Sequence, residues 1–343
     1  MVSHDGMEDY TLESELGHGA FGVAFLALRN SDRRQCVVKR IKMREMSKRD
    51  ALAAEREVTV MQKVAHPNII GYYDSFVSQE NMHIVMEYAD GGTLYTVLRS
   101  ALHTGPLAES SVLAYFAQLL AAVRCLHQNH ILHRDLKSPN VFLTLDNTVK
   151  LGDFGLSRVL ASNSFAKSTV GTVPQLSPEL CKGKPYGTEC DVWALGCLLY
   201  EMTHRRNAFK EHSLPATVMK IMRGDFALDA TQPYSDAIVR IIEGCLEVST
   251  ERRSTLDELV RHPLLHPLVD SLDADYAAAG NLPAGRTEPT QPTPVTSQER
   301  GGGWVRGSVD FVPIAGGTDD PSPEAAGTEP LSRNFFLFGE HAR

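Results

Sequence analysis

The stretch that most constrains this chain is His133 to Gly155, which reads HRDLKSPNVFLTLDNTVKLGDFG. Two polar runs, HRDLKSPN and DFG, enclose two β-rich segments, Val141 to Thr144 and Thr148 to Leu151, and the Asp146-Asn147 pair between them is turn chemistry. The pattern predicts a hairpin whose two ends carry converging polar groups. Asp135, Lys137, Asn140 and Asp153 are then two carboxylates, an ammonium and an amide, a set suited to holding a magnesium ion, a triphosphate and an attacking hydroxyl together. That set implies phosphoryl transfer.

The H-R-D-L-x-x-x-N run, with D-F-G thirteen residues after Asn140, resembles the protein kinases. Either tripeptide alone is weak; both in this order and at these spacings form a specific match. The resemblance implies that Asp135 accepts or orients the proton of the substrate hydroxyl. It also implies that Asn140 and Asp153 hold metal ions, and that Lys137 neutralises the transferred phosphoryl group. ATP and Mg2+ are the cofactors expected.

Residues 10 to 28 alternate apolar and polar positions on either side of Gly17-His18-Gly19-Ala20-Phe21-Gly22, which reads as strand, glycine-rich loop, strand. Glycines let backbone N–H groups approach phosphates, and Phe21 at the tip is placed to cover them. A dinucleotide-binding fold would show the same G-x-G-x-x-G, but it needs a helix directly after the third glycine, and FGVAFLAL continues as a strand. That excludes the dehydrogenase reading. Ala24 stands where kinases carry valine, making a smaller wall above the adenine.

Lys39, flanked by Val38 and Ile41 in a third strand, matches the lysine that pairs the α- and β-phosphates. Ser47 to Val64 has a helical pattern, and its Glu57 matches the glutamate that pairs with that lysine. Two further strands follow HPNII, and Met86 to Ala89 (with Glu87 between) is the expected hinge, offering backbone groups to the adenine. Met86 sets the depth of the back pocket. The activation segment, Asp153 to Glu179, clusters hydroxyls at Ser168, Thr169 and Thr172, and Arg134 beside them makes a phosphate pocket able to order the loop. Phosphorylation of Ser168 or Thr169, by an upstream kinase or by the protein itself, is the expected switch.

From Lys150 onward the resemblance narrows. VKLGDFGLSRVL and SPELCKGKPYGTECDVWALGCLLYEM closely resemble the NIMA-related (NEK) serine/threonine kinases. Thr172, with Lys137, marks a serine/threonine enzyme. Where that family usually reads GTPYYxSPE, this chain has GTVPQLSPE, so Val173-Pro174-Gln175 alters the floor next to the phosphoacceptor. Thr93 and Pro139 stand where arginine-directed kinases carry acids, and the resemblance points to an apolar residue three before the acceptor. It implies that Asp191 anchors the catalytic loop and that Glu179 pairs with Arg252. It also implies roles in cell-cycle progression, microtubule organisation or cilia and flagella. The alternative is a pseudokinase scaffold that binds nucleotide or partners without catalysis.

The fold class expected is α+β: an N-terminal extension (1–9), then a bilobal kinase domain (10–268). Its lobes are a β-rich N-lobe (10–88) and a helical C-lobe (89–268). From Ser271 onward 18 of 73 residues are Gly or Pro, so 269–343 is expected to be a disordered tail. No heptad run there supports coiled-coil dimerisation. The net charge is -8, with 29 basic and 32 acidic residues over 1–270 and 5 and 10 over 271–343, so no nucleic-acid partner is expected. No run approaches eighteen apolar residues and the N-terminus is acidic, so a cytoplasmic or nuclear protein with no membrane partner is expected, at the cytoskeleton, centrosome or basal body. Six scattered cysteines without a C-x-x-C pair read as reduced core thiols.

Overall fold

The computed structural model describes residues 6–19, 22–43, 58, 61–62, 64–153, 175–229 and 231–278. Ala20, Phe21, Glu57, Ser168, Thr169, Thr172, the Val173-Pro174 pair and the expected tail beyond 278 lie outside them.

The N-terminal part is a five-stranded antiparallel sheet. Its strands are β1 (Tyr10–Gly19), β2 (Gly22–Arg29), β3 (Gln35–Lys42), β4 (Tyr72–Ser78) and β5 (Asn81–Glu87), in the order β1-β2-β3-β5-β4. The β1–β2 turn closes with Gly19 opposite Gly22, and a side chain at Gly22 would run into the carbonyl of Arg40, so only glycine lets β3 come this close. Period-two alternation sorts β3 between the two faces: Cys36 and Val38 pack with Tyr10, Ala27 and Val85 on one side. Ile41 packs instead with Met82, Ile84 and Val58, the last being a described residue of the predicted Ser47–Val64 helix.

The larger part is helical. Thr93 starts α1 (Leu94–Thr104) through a capping box with Thr96, and Gly105 ends it. A break at Gly105-Pro106 separates it from the next helix. That helix, α2 (Glu109–Gln128), is long and apolar enough by length and composition to cross a membrane, but Phe116, Leu119, Leu120, Val123 and Leu126 are buried in the protein core. After it comes the catalytic hairpin, β6 (Val141–Leu143) and β7 (Val149–Leu151), with Asn147 taking the left-handed turn position at φ 64°.

From the end of the activation segment onward come α3 (Pro178–Cys181), α4 (Glu189–His204), α5 (Leu214–Arg223), α6 (Asp236–Cys245), α7 (Leu256–Val260) and α8 (His266–Ala278). The core is centred on α2 and α4, where Trp193 stacks on Phe209 at 5.2 Å; Trp193 is a core residue, as its apolar neighbours suggest. All six cysteines are free thiols; Cys36, Cys190, Cys197 and Cys245 are buried, and burial raises the pKa of each.

Two expectations are corrected. Glu179 pairs with Arg253, at 2.9 and 3.0 Å to the two guanidinium nitrogens, and not with Arg252, which reaches Glu247 from an exposed position. Arg253 wins because it points inward beneath Trp193, where its Nη1 also meets the Glu189 carbonyl. The boundary at 268 falls inside α8. That helix is short on apolar residues, burying Val269, but Arg124 pairs with Asp273, and the Tyr276 hydroxyl donates to the Ala65 carbonyl at 2.7 Å.

Candidate active site

The hinge brings the two lobes together. Gly91 N–H donates to the Leu143 carbonyl at 2.8 Å and Leu143 N–H to the Gly92 carbonyl at 2.9 Å, so the chain leaving β5 pairs with the catalytic hairpin. A side chain at Gly91 would collide with the Thr144 carbonyl. Ala89 is buried, and Met86 is half-buried opposite Val37 and Tyr72. The Glu87 side chain has work the sequence did not disclose. It accepts from Gly71 N–H at 2.9 Å and forms a 2.6 Å ion pair with Lys150, joining the hinge to β7. Alternation along β7 does place Lys150 on the face opposite buried Val149 and Leu151, but nothing local names its partner.

The catalytic loop is held from behind by Asp191, which begins α4 and is fully buried. Its carboxylate accepts the N–H groups of His133 and Arg134, both at 2.9 Å, and lies 2.8 Å from His127 Nε2. Burial pushes its pKa up, but these hydrogen bonds outweigh burial and hold it below the usual carboxylate range. His133 reaches across to the Gly152 carbonyl at 3.2 Å, and Gly152 N–H donates to the Asn140 carbonyl at 3.0 Å. His133 is kept neutral by burial, its pKa lowered. The loop and the backbone at Gly152, the residue before Asp153, are therefore one hydrogen-bonded unit.

Within it, Asn140 Nδ2 donates to both the carbonyl and Oδ2 of Asp135 at 2.9 Å, and Lys137 Nζ lies 2.8 Å from the same Oδ2. Asp135 Oδ1 is left buried with no hydrogen-bond partner among the described residues, as is Gln175 Oε1, and both residues line one water-sized cavity of about 10 Å3. Across the cleft, Lys39 sits in β3 opposite Ala24 and Ile84, and its Nζ lies 2.6 Å from Asp153 Oδ1. The nearby ammonium lowers the Asp153 pKa. Arg134 and Asp153 are non-glycine residues at positive φ, 69° and 53°. Such backbone costs about 1–3 kcal/mol each and persists where surrounding bonds fix it.

Lys39, Lys137, Asp135, Asn140 and Asp153 are thus brought to one cleft. Gly17 and Gly22 lie where β1 and β2 pair, while His18 is exposed and reaches Glu15 at 2.7 Å. Arg134 stacks its guanidinium 5.0 Å from the Tyr186 ring, and its Nε is buried without a hydrogen-bond partner among the described residues.

The oxygen donors fit magnesium. Asp153 is 44% exposed and keeps a second carboxylate oxygen beyond Lys39; Asn140, with its nitrogen committed to Asp135, keeps its amide oxygen. Magnesium is commonly held by one or two protein oxygens, with water and phosphate completing the shell.

Comparison with known proteins agrees with this geometry. The protein kinase domain family model matches residues 10–265. Serine/threonine-protein kinase Nek8 of Danio rerio is 39% identical over 302 residues, 87% of this chain and 42% of the relative. Nekl-2 of Caenorhabditis elegans is 36% identical over 293 residues, covering 83% of this chain and 82% of the relative. Human Nek5 is 36% identical over 266 residues, 77% of this chain and 37% of the relative. The chain therefore spans less than half the length of two of these relatives and most of the third. With a matched kinase domain and a relative aligned over most of both lengths, the chain belongs to the protein kinase family, within its NIMA-related serine/threonine branch.

Proposed function

We propose that this protein transfers the γ-phosphate of ATP to serine and threonine hydroxyls of other proteins. The observation that carries the reading is the cleft itself: Lys39 on Asp153 at 2.6 Å, facing a loop in which Asp135 keeps one buried oxygen unpartnered. An acceptor hydroxyl donates its hydrogen to that oxygen, and its proton passes to Asp135 as the new phosphorus–oxygen bond forms and the bond from the γ-phosphorus to the bridging oxygen breaks, ADP leaving with that bond's electron pair. Lys137, already beside Asp135, neutralises the transferred group. Lys39 exchanges Asp153 for the α- and β-phosphates, with Glu57 as its partner in the active arrangement. Magnesium held by Asp153 and Asn140 supplies charge neutralisation at the phosphates. Positioning and electrostatics are the catalytic means.

Arg134, with an unpartnered buried donor, receives the phosphate of Ser168 or Thr169 and orders the activation segment. Thr93 and Pro139 give a basic-directed preference no support, membership in the NIMA-related branch supports an apolar residue three before the acceptor, and Gln175 beside Asp135 adapts the adjoining pocket to substrates different from those of its relatives. Membership in the NIMA-related branch supports a role in cell-cycle progression, microtubules or cilia, at the cytoskeleton, centrosome or basal body.

The test is transfer of labelled γ-phosphate from ATP to a generic protein substrate by loop-phosphorylated protein. Incorporation by the native chain and its loss in Asp153→Ala supports the enzyme; equal incorporation by both, or none by either, favours a non-catalytic scaffold.

A further inference from the structure

A second cavity, of about 320 Å3, opens where α4 ends and α5 begins, away from the nucleotide cleft. Its size lies at the lower end of the range of about 300–1,000 Å3 typical of ligand sites. It is walled by Tyr200, Arg206, Asn207, Lys210, Glu211 and Lys220. Three of these six are cations and one is an anion. Glu211 is already neutralised by Lys220 at 2.8 Å. Asp229, the other nearby carboxylate, is turned into its own loop by Thr231 and Gln232. Arg206 donates to the Ala227 carbonyl at 3.4 Å and to the Tyr200 hydroxyl, and neither Arg206 nor the exposed Lys210 has an ion pair among the described residues. The Tyr200 hydroxyl also spends its hydrogen on Ala227. Two uncompensated cations therefore face one concave space.

The placement suits a substrate. The helix α5 packs on α3, which begins directly after Gln175-Leu176-Ser177 of the acceptor pocket. From Asp191 to the end of α4 at His204 is about 20 Å at 1.5 Å per residue, a span that about six extended residues cover. The protein as a whole carries a net charge of -8, which repels long polyanions such as nucleic acid and anionic membranes. A compact dianion on a short peptide escapes that repulsion and meets both cations at once.

We propose that this cavity is a docking pocket for a phosphoserine or phosphothreonine of the protein substrate, held by Arg206 and Lys210 at a distance from the acceptor hydroxyl. The inference rests on the kinase reading above and adds to it a requirement for prior phosphorylation elsewhere on the target. Substrates already marked by another kinase are then preferred.

The experiment uses serine peptides with an apolar residue three before the acceptor and a phosphoserine, or alanine in its place, stepped from four to twelve residues to either side. At one or a few spacings the phosphoserine lowers KM at least fivefold with kcat unchanged, and the advantage fades as salt rises. Arg206→Ala with Lys210→Ala removes it while leaving KM for the alanine peptides unaltered. Lys210→Glu, at an exposed position, serves as a second variant if the double one folds poorly. Equal KM at every spacing, or an advantage retained in both variants, overturns the proposal. Binding of the fluorescent peptides to Asp135→Asn protein separates the two readings. Phosphoserine-dependent binding without phosphoryl transfer by the native chain sinks the enzyme and keeps the pocket. Equal competition by duplex DNA or anionic vesicles sinks the pocket's peptide specificity.

Discussion

Lys39 on β3 and Asp153 after β7 lie 2.6 Å apart, Nζ to Oδ1, although 114 positions of chain separate them. The sheet places one and the catalytic hairpin the other, and the hinge strand pairing through Gly91 and Gly92 brings the two together. On the proposed function, bound nucleotide and metal replace that contact, and the pair is where the proposal puts the phosphates and magnesium.

Arg134 Nε is buried with no hydrogen-bond partner among the described residues. Replacing Ser168 and Thr169 together by alanine is expected to lower the phosphorylation rate at least tenfold, about 1.4 kcal/mol in the barrier. Steady-state rates with a peptide substrate measure it, and unchanged rates would reject the switch.

Arg253, not Arg252, closes the buried pair with Glu179. Arg253→Ala leaves that carboxylate buried without its partner and is expected to cost about 3–5 kcal/mol in stability. Arg252, whose side chain is 73% exposed, should change stability by no more than about 0.5 kcal/mol on conversion to alanine. Urea unfolding of both variants distinguishes them; the opposite ranking restores the pairing expected from sequence.

How much of this was legible beforehand depends on range. Strands β1 to β3, the catalytic hairpin and the two polar runs announce themselves through alternation, turn residues and spacing, because those signals are local. The Lys150 to Glu87 pair and the choice of Arg253 over its neighbour do not, since adjacent arginines look alike until packing decides which one points inward. The helix α8 was missed for a similar reason. Its Asp, Ala and Tyr residues make a weak amphipathic pattern, and it is attached through buried Val269, the Tyr276 ring against His66 and polar contacts to Arg124 and Ala65.

Those attachments have a measurable value. Tyr276→Phe removes one hydrogen bond to Ala65 while keeping the ring against His66, and is expected to lower stability by about 1 kcal/mol. Ending the chain at Leu265 also uncovers the Val269 site and should lower Tm further than Tyr276→Phe does. Thermal unfolding of the three proteins tests this; a chain ending at Leu265 with native Tm would show that α8 is dispensable.

His66 supplies a pH dependence. Burial lowers its pKa to about 4 from an ordinary 6.5, so the folded protein resists a proton that the unfolded chain accepts. Its contribution is fully present above pH 6.5 and is lost as pH falls toward 4, amounting to about 2 kcal/mol by pH 5. Denaturant unfolding at pH 7.5 and 5.0 should show native protein losing more stability than His66→Asn, a change that keeps an acceptor for Asn68 N–H. Equal losses would contradict it.

The most direct measurement is equilibrium titration of ATP, with and without magnesium, into native protein, Lys39→Met and Asp153→Ala. If these two residues face one bound nucleotide, native protein binds more tightly with magnesium. Asp153→Ala then loses that magnesium-dependent gain, and Lys39→Met weakens binding under both conditions. Identical affinities in all three proteins would place the nucleotide elsewhere and contradict the account.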